Sequence, residues 1–527
     1  MQMMPSRPDK RENRSLPLTF LVTLVILAIA GCGDSGNGTP TAKSPSPRKN
    51  TQAKVEASGK SNLPTVRPGQ FEPKAITTSK LPTPKLDERR SLADLANQDD
   101  GGDGGAAAKK PIVLTVTPRG KRLPIDDTKA AVAGIRKLIG KHLTLYTDVP
   151  PSPEVDELPA AFDAAVPLWC KYFEVDPMNA MDWHMTGFVI QEKARFQGAG
   201  MLPDDLPPFI NGFQRGRYVW LYGQPTAYYR RHLLLHEGTH AFMDLIVGGL
   251  GPPWYAEGMA ELLGTHQWQD GELTLAYMPR QKTETPGWGR IKIVKDELAA
   301  GNGMMPANIL EYGPQAHLRN EPYGWCWALA AFFDSDPRTQ KAFRELRKKI
   351  RTEDITQWFR QQVQDDWADL SEDWQVFVMN IDYGYDIARS VIVRKTAQAV
   401  PASGATATIS ADRGWQSTGI LLTAGTTYRI DATGQYQVAE TSEIWWCEPG
   451  GVTIHYFQGR PLGLLLGAVR DHSQPLEGMS PLVKPRPIGL GTTLEPEVSG
   501  TLYLKINESP AELGDNQGQI TVRVQVQ

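Results

Sequence analysis

Leu233-Leu234-Leu235-His236-Glu237-Gly238-Thr239-His240-Ala241-Phe242-Met243-Asp244 decides how the rest of the chain is read. The stretch reads as a helix, and on a helix residues four apart stand nearly above one another, about 6 Å apart. His236 and His240 therefore leave one face, at a spacing where two imidazoles hold a single zinc ion. Glu237 is next in the turn, placed to take a proton from water activated by that metal. Leu233, Leu234, Phe242, Leu245 and Ile246 would bury the remaining faces and fix both histidines against a core.

Two histidines need a third ligand. Gly248, Gly249 and Gly251 end the helix, and Pro252-Pro253 open the next one. That second helix reads Trp254-Tyr255-Ala256-Glu257-Gly258-Met259-Ala260-Glu261, with Leu262 and Leu263 on its apolar side. Glu257 would project towards the metal, and Glu261 follows one turn later. The combination resembles the gluzincin metallopeptidases, in which His-Glu-x-x-His precedes a helix often written Trp-x-x-Glu-Gly-x-Ala-Glu. The resemblance implies an α+β, zincin-like domain with a helical C-terminal lobe. It implies His236, His240 and Glu257 as zinc ligands, Glu237 as general base, and Glu261 as the carboxylate that orients a bound imidazole. It also implies a downstream tyrosine whose hydroxyl serves the oxyanion. Tyr323, at the start of Tyr323-Gly324-Trp325-Cys326-Trp327, is the first candidate and Tyr312 the reserve. The match covers roughly residues 138–387 and is nearest to exported bacterial peptidase-like proteins of this group. The aminopeptidase signature Gly-x-Met-Glu-Asn is absent upstream of His236, which favours an endopeptidase.

The whole chain sets the setting. Its 527 residues leave room for two or three domains. A net charge of −3 with 22% charged residues gives no ground for nucleic-acid binding. Lys10, Arg11 and Arg14 precede an apolar run at 16–30, too short for a comfortable membrane span. It ends in Ile29-Ala30-Gly31-Cys32, which resembles a bacterial lipobox. The resemblance implies a signal peptide over 1–32, cleavage before Cys32 and a lipid anchor on that cysteine, in the cell envelope on the periplasmic or surface side. An uncleaved anchor is the alternative, and both export the chain. Residues 33–110 are rich in Ser, Thr, Pro and Gly and read as a disordered tether. The remaining cysteines, Cys170, Cys326 and Cys447, have no metal-ligand spacing, and no disulfide is expected.

Folded sequence is expected from 111 to 397 as the peptidase-like domain. Strands are expected at 112–116, 142–147, 183–191 and 217–222, and helices at 128–138 and from 158 to 172 with Pro167 inside. A hairpin at 271–278 and a loop through Trp288 read as an insertion beside the cleft. Amphipathic helices follow from Tyr323 to about 387. Over 398–527 strand-like segments at 419–422, 427–432, 452–456 and 501–506 alternate with Gly and Pro turns, which gives an all-β sandwich. Leu504-Lys505-Ile506-Asn507-Glu508 and Gly514-Asp515-Asn516-Gln517-Gly518 make this domain resemble calcium-dependent galactophilic bacterial lectins. That resemblance implies calcium held by Glu508, Asp515 and Asn516, with Glu512 at a backbone-carbonyl position, and envelope carbohydrate as a partner. Glu508 stands where the lectins have Asp, and Asp515 where they have Asn. Three functional readings follow: a zinc endopeptidase acting on peptide or protein, a non-catalytic envelope glycan-binding lipoprotein with a vestigial peptidase-like domain, or a protein whose metal only staples the fold. Three protein ligands leave a coordination position open, which favours catalysis.

Overall fold

Short strands linked by turns and helices build a mixed sheet first. Strands β1 (Arg136–Ile139), β2 (Leu143–Thr147), β3 (Met185–Ile190), β4 (Gly212–Arg215) and β5 (Tyr218–Tyr222) lie in the order β1-β2-β3-β5-β4. The central three run parallel, while β1 and β4 close the two edges antiparallel. β3 is buried at almost every position, as a strand covered on both faces requires. The structure, a computed structural model, describes residues 123–527 apart from 353 and 477. The expected signal segment, Cys32, the tether and the strand at 112–116 lie outside the described residues.

The principal helices are α1 (Asp127–Val132), α2 (Leu158–Tyr172), α3 (Lys193–Ala199), α4 (Ala227–Phe242), α5 (Pro253–Gly264), α6 (Arg290–Ala299), α7 (Glu321–Ser335), α8 (Gln340–Lys349), α9 (Ile355–Gln362) and α10 (Trp367–Asn380). The helix expected at 128–138 is instead two elements. α1 stops at Val132, Gly134 takes φ +75°, and the residues beyond pair with β2 as β1. The hairpin expected at 271–278 falls earlier, as β6 (His266–Gln269) and β7 (Glu272–Leu275), turning through Asp270 and Gly271 at positive φ.

α4 is the axis of this lobe. Thr226 Oγ1 caps it by accepting from the Tyr229 amide, and every residue from 231 to 242 is buried. Such burial needs close neighbours. Gly238 admits them, since a Cβ there would come within 2.7 Å of Phe162 and 2.8 Å of Trp169 on α2. Beyond Phe242 the helix widens into a π-helical turn, Met243–Val247, which Gly248 ends at φ +104°. Pro253 at the first helical turn restarts the chain as α5, which is buried along its whole length. α7 then packs on α5 at Gly258, where a Cβ would sit 3.1 Å from the Cys326 carbonyl oxygen.

The C-terminal part is a β-sandwich. One sheet is centred on Leu465–Arg470, Gly500–Ile506 and Gln416–Leu422; the other is built around Gln517–Val526. Ile409, Leu422, Ile430, Tyr436, Leu504, Ile520 and Val522 fill the space between them. The first sheet turns its outer face to the helical lobe, where Trp415, Ala468 and Tyr503 pack with Val376 and Ile392. Buried ions reinforce this contact: Glu372 accepts from Ser480 Oγ at 2.6 Å and from Arg470 Nε at 3.1 Å. Arg394 lies 3.1 Å from Asp373. Cys170, Cys326 and Cys447 are buried free thiols. Among the described residues no helix is long and apolar enough to cross a membrane.

Candidate metal centre

α4 delivers His232, His236 and His240 from one face, and α5 delivers Glu257 and Glu261 from the facing helix. Two groups of potential ligands result: His236, His240 and Glu257, and His232, His236 and Glu261. Geometry separates them.

In the first group three ligand atoms converge on one point. His236 Nε2 lies 3.2 Å from His240 Nε2, and Glu257 Oε2 lies 3.5 Å and 3.6 Å from the two nitrogens. A tetrahedral ion with bonds of about 2.0–2.1 Å would set its ligands about 3.3–3.4 Å apart. Glu257 Oε2 is buried and has no hydrogen-bond partner, an arrangement that is costly unless a cation completes it. In the second group the carboxylate is already taken. Arg290 donates to both oxygens of Glu261, at 2.8 Å and 2.7 Å, leaving no room for a metal there. Glu261 lies 3.2 Å from His236 Nδ1 and 3.3 Å from His232 Nε2, close to both rings although off the line of a hydrogen bond. His232 Nδ1 is anchored 2.9 Å from the Gly264 carbonyl oxygen. The first group is the one that fits an ion, and the second surrounds it.

Charge points the same way. Three buried carboxylates, Glu237, Glu257 and Glu261, face one buried guanidinium, Arg290. With neutral imidazoles, three negative charges against one positive leave two, which a divalent cation balances. The local fields follow from this set. Burial opposes a charged Glu257, but His240 and His236 outweigh it and hold that carboxyl well below the ordinary range. Burial likewise opposes charge on Glu261, and Arg290 and His232 overcome it. Burial disfavours an imidazolium at His236, yet Glu257 and Glu261 raise its pKa well above the usual value. The carboxylates that would keep a proton on His236 are those that would keep a metal there instead.

Glu237 is buried beside these ligands, against the edge strand. A Cβ at Gly212 of β4 would lie 2.5 Å from Glu237 Oε1. Burial raises its pKa, and His236 and His240 pull it part of the way back. Tyr323 stands with its ring centroid 6.0 Å from that of His236, and its hydroxyl donates to the His317 carbonyl oxygen at 3.0 Å. Burial, then the charges of Glu257 and Glu237, raise its pKa, so the hydroxyl keeps its proton. The reserve candidate, Tyr312, directs its hydroxyl at Met304 Sδ, 2.9 Å away.

Three residues around the centre escaped the sequence reading. His232 carried a usable signal, one turn before His236 on the same face. Gly212 and Arg290 carried none, because only the folded sheet and the start of α6 bring them in.

The sandwich residues singled out in the sequence also meet. Asn516 Nδ2 donates to Glu508 Oε2 at 2.9 Å and to the Ala411 carbonyl oxygen at 3.1 Å. Asp515 Oδ2 accepts from the Glu440 amide at 3.0 Å. Asp515 Oδ1 and Asn516 Oδ1 are buried without partners. Burial pushes the Glu508 carboxyl up to about 8. Glu512 is exposed on the same loop.

No protein-family model matches the chain. No curated protein matches it either. Among solved structures it is similar to one described as "EclA N-terminal domain; PllA-like lectin", at 20% identity, over 23% of this chain and 95% of that one, with a TM-score of 0.18.

Proposed function

We propose that this protein is a zinc-dependent metallopeptidase of the gluzincin type, an endopeptidase with a zincin-like domain over residues 111–397. The observation that carries the reading is the convergence of His236 Nε2, His240 Nε2 and the unpartnered Glu257 Oε2, with Glu237 next to them on the same helix. His236, His240 and Glu257 hold the zinc. Once bound, it supplies Lewis acidity towards a peptide carbonyl and towards water. Glu237 takes the proton from the attacking water and returns it to the leaving amine. Its raised pKa suits a base that must also act as an acid. The hydroxyl of Tyr323, which donates to the His317 carbonyl oxygen at 3.0 Å, would turn from that bond to donate to the substrate carbonyl oxygen as charge develops there. Glu261 orients the His236 ring.

The remainder of the chain serves placement. Residues 1–32 are a lipoprotein signal with Cys32 as the acylated anchor in the bacterial envelope, and 33–110 are a tether. The sandwich over 398–527 binds calcium through Glu508, Asp515 and Asn516, and through it envelope carbohydrate. Two buried oxygens without partners beside a buried carboxylate support the calcium part.

The test is elemental analysis of the purified chain together with hydrolysis of a mixed peptide library. About one zinc per chain, lost in His236→Ala, with cleavage abolished in Glu237→Gln, is the expected result. A well-folded, metal-replete protein without zinc would overturn the reading. If zinc is bound but Glu237→Gln leaves the protein's action unchanged, the chain is the non-catalytic envelope-binding lipoprotein.

A further inference from the structure

Arg290 is the first residue of α6, far in sequence from both metal-site helices, yet its guanidinium is buried among them. Two of its nitrogens grip the two oxygens of Glu261, at 2.8 Å and 2.7 Å, and the third donates to the Trp288 carbonyl oxygen at 2.8 Å. Its central guanidinium carbon also lies over two aromatic rings, 5.9 Å from the centroid of Tyr229 on α4 and 5.6 Å from that of Tyr323 on α7. One side chain thus touches the carboxylate beside the His236 ring, the helix that carries the histidines, and the tyrosine beside the centre.

The surroundings lock it there. Trp288 is fully buried, edge-on to Trp327 of α7 with centroids 4.7 Å apart, so the carbonyl that holds the third nitrogen is itself fixed. Gly324 lets α7 close on α6, since a Cβ there would fall 2.7 Å from Ile293 and 3.3 Å from the Arg290 carbonyl oxygen. Without the guanidinium, Glu261 would be a buried charge between two imidazoles. It would then turn towards His232 or swing into the ligand group.

We propose that Arg290 is the positioning residue of the centre, setting the His236 ring through Glu261 and the Tyr323 ring by direct contact. The inference rests on the metal reading above. Lysine cannot replace it, because a point charge on a flexible stem does not grip both carboxylate oxygens while holding the Trp288 carbonyl oxygen as well.

The test uses the full chain, stripped with a chelator and reloaded with cobalt(II), whose visible spectrum reports ligand geometry independently of activity. Arg290→Lys and Arg290→Met are compared with Glu261→Gln and with the double variant Arg290→Met/Glu261→Gln. Circular dichroism verifies folding, and Arg290→Lys preserves the charge should Arg290→Met fail to fold. Expected are about 10- to 100-fold weaker cobalt and zinc binding and an altered cobalt spectrum in both Arg290 variants. The double variant should bind no more weakly than Glu261→Gln alone, because both changes break one linkage. Wild-type affinity and spectrum in a folded Arg290 variant would overturn the proposal, as would losses that simply add. A wild-type chain that takes up neither zinc nor cobalt would instead overturn the metal reading itself.

Discussion

In the proposed peptidase, Glu237 would have to be a charged base in a place that resists charge. Burial raises its pKa while His236 and His240 lower it, so its protonation is set by burial against the same imidazoles that would hold the proposed ion. Glu237→Gln preserves shape and removes the base. Turnover of a peptide substrate should fall by about 10²- to 10⁴-fold with zinc content unchanged, as steady-state kinetics beside elemental analysis would reveal. Gly212 offers a subtler probe. Its Cβ would meet Glu237 Oε1 at 2.5 Å and Leu221 Cδ2 at 2.9 Å. Gly212→Ala should therefore shift the base and lower turnover at least tenfold, about 1.4 kcal/mol in barrier, with little change in metal content. An unchanged rate would mean that the carboxylate acts from some other position. At this scale the site was legible where chemistry and period coincide. His236 and His240 stand four residues apart on one helix, and Glu257 follows one turn into the next. Gly212 and Arg290 were illegible because a glycine in a strand and an arginine at the start of a helix look ordinary until the fold brings them to a carboxylate.

α4 has little room to change. Gly238, between the base and the second histidine, faces Phe162 and Trp169, so it is a packing position inside the motif. Gly238→Ala should cost about 1–3 kcal/mol by overpacking, visible as an earlier midpoint in chemical denaturation, although alanine favours helix more than glycine does. A more stable variant would contradict this packing. Lys505, on the outer face of the sandwich sheet, gives a pH handle. Burial, with a smaller push from Arg460, brings its pKa down to about 8 from 10.5, while the Trp415 ring 5.4 Å from its ammonium favours the charge. Between those values the unfolded chain holds a proton that the folded chain has released, so this lysine makes stability rise with pH from about 8 to 10.5. Lys505→Met should flatten that rise in a series of thermal melts, and an identical pH profile in the variant would refute it. Element boundaries were the less readable part of the sequence. Helical spacing over 128–138 hid the break at Gly134, where a left-handed backbone turns the chain into an edge strand.

Across the whole molecule, helical lobe and sandwich share buried charge. Glu372 on α10 takes Ser480 and Arg470 from the sandwich, and Arg394 reaches Asp373 beside it. Removing Glu372 takes the carboxylate from buried Arg470 and the acceptor from Ser480 Oγ, so Glu372→Ala should lose about 3–5 kcal/mol of this contact. Calorimetry should then resolve two transitions where the parent shows one, and a single unshifted transition would show that the ions contribute little. This contact was invisible in the sequence because Glu372 lies 98 residues from Arg470 and 108 from Ser480, and none of them stands in a motif. The metal centre has a last consequence, for how long the protein survives. If the site captures a divalent ion as proposed, that ion offsets the cost of burying three carboxylates against a single guanidinium. Metal is then a ligand of the native state alone, and each tenfold rise in free zinc above its dissociation constant adds about 1.4 kcal/mol to stability. If the proposed metal reading holds, scarcity of that ion would shorten the lifetime of the chain before any substrate is met, making its abundance a record of metal supply.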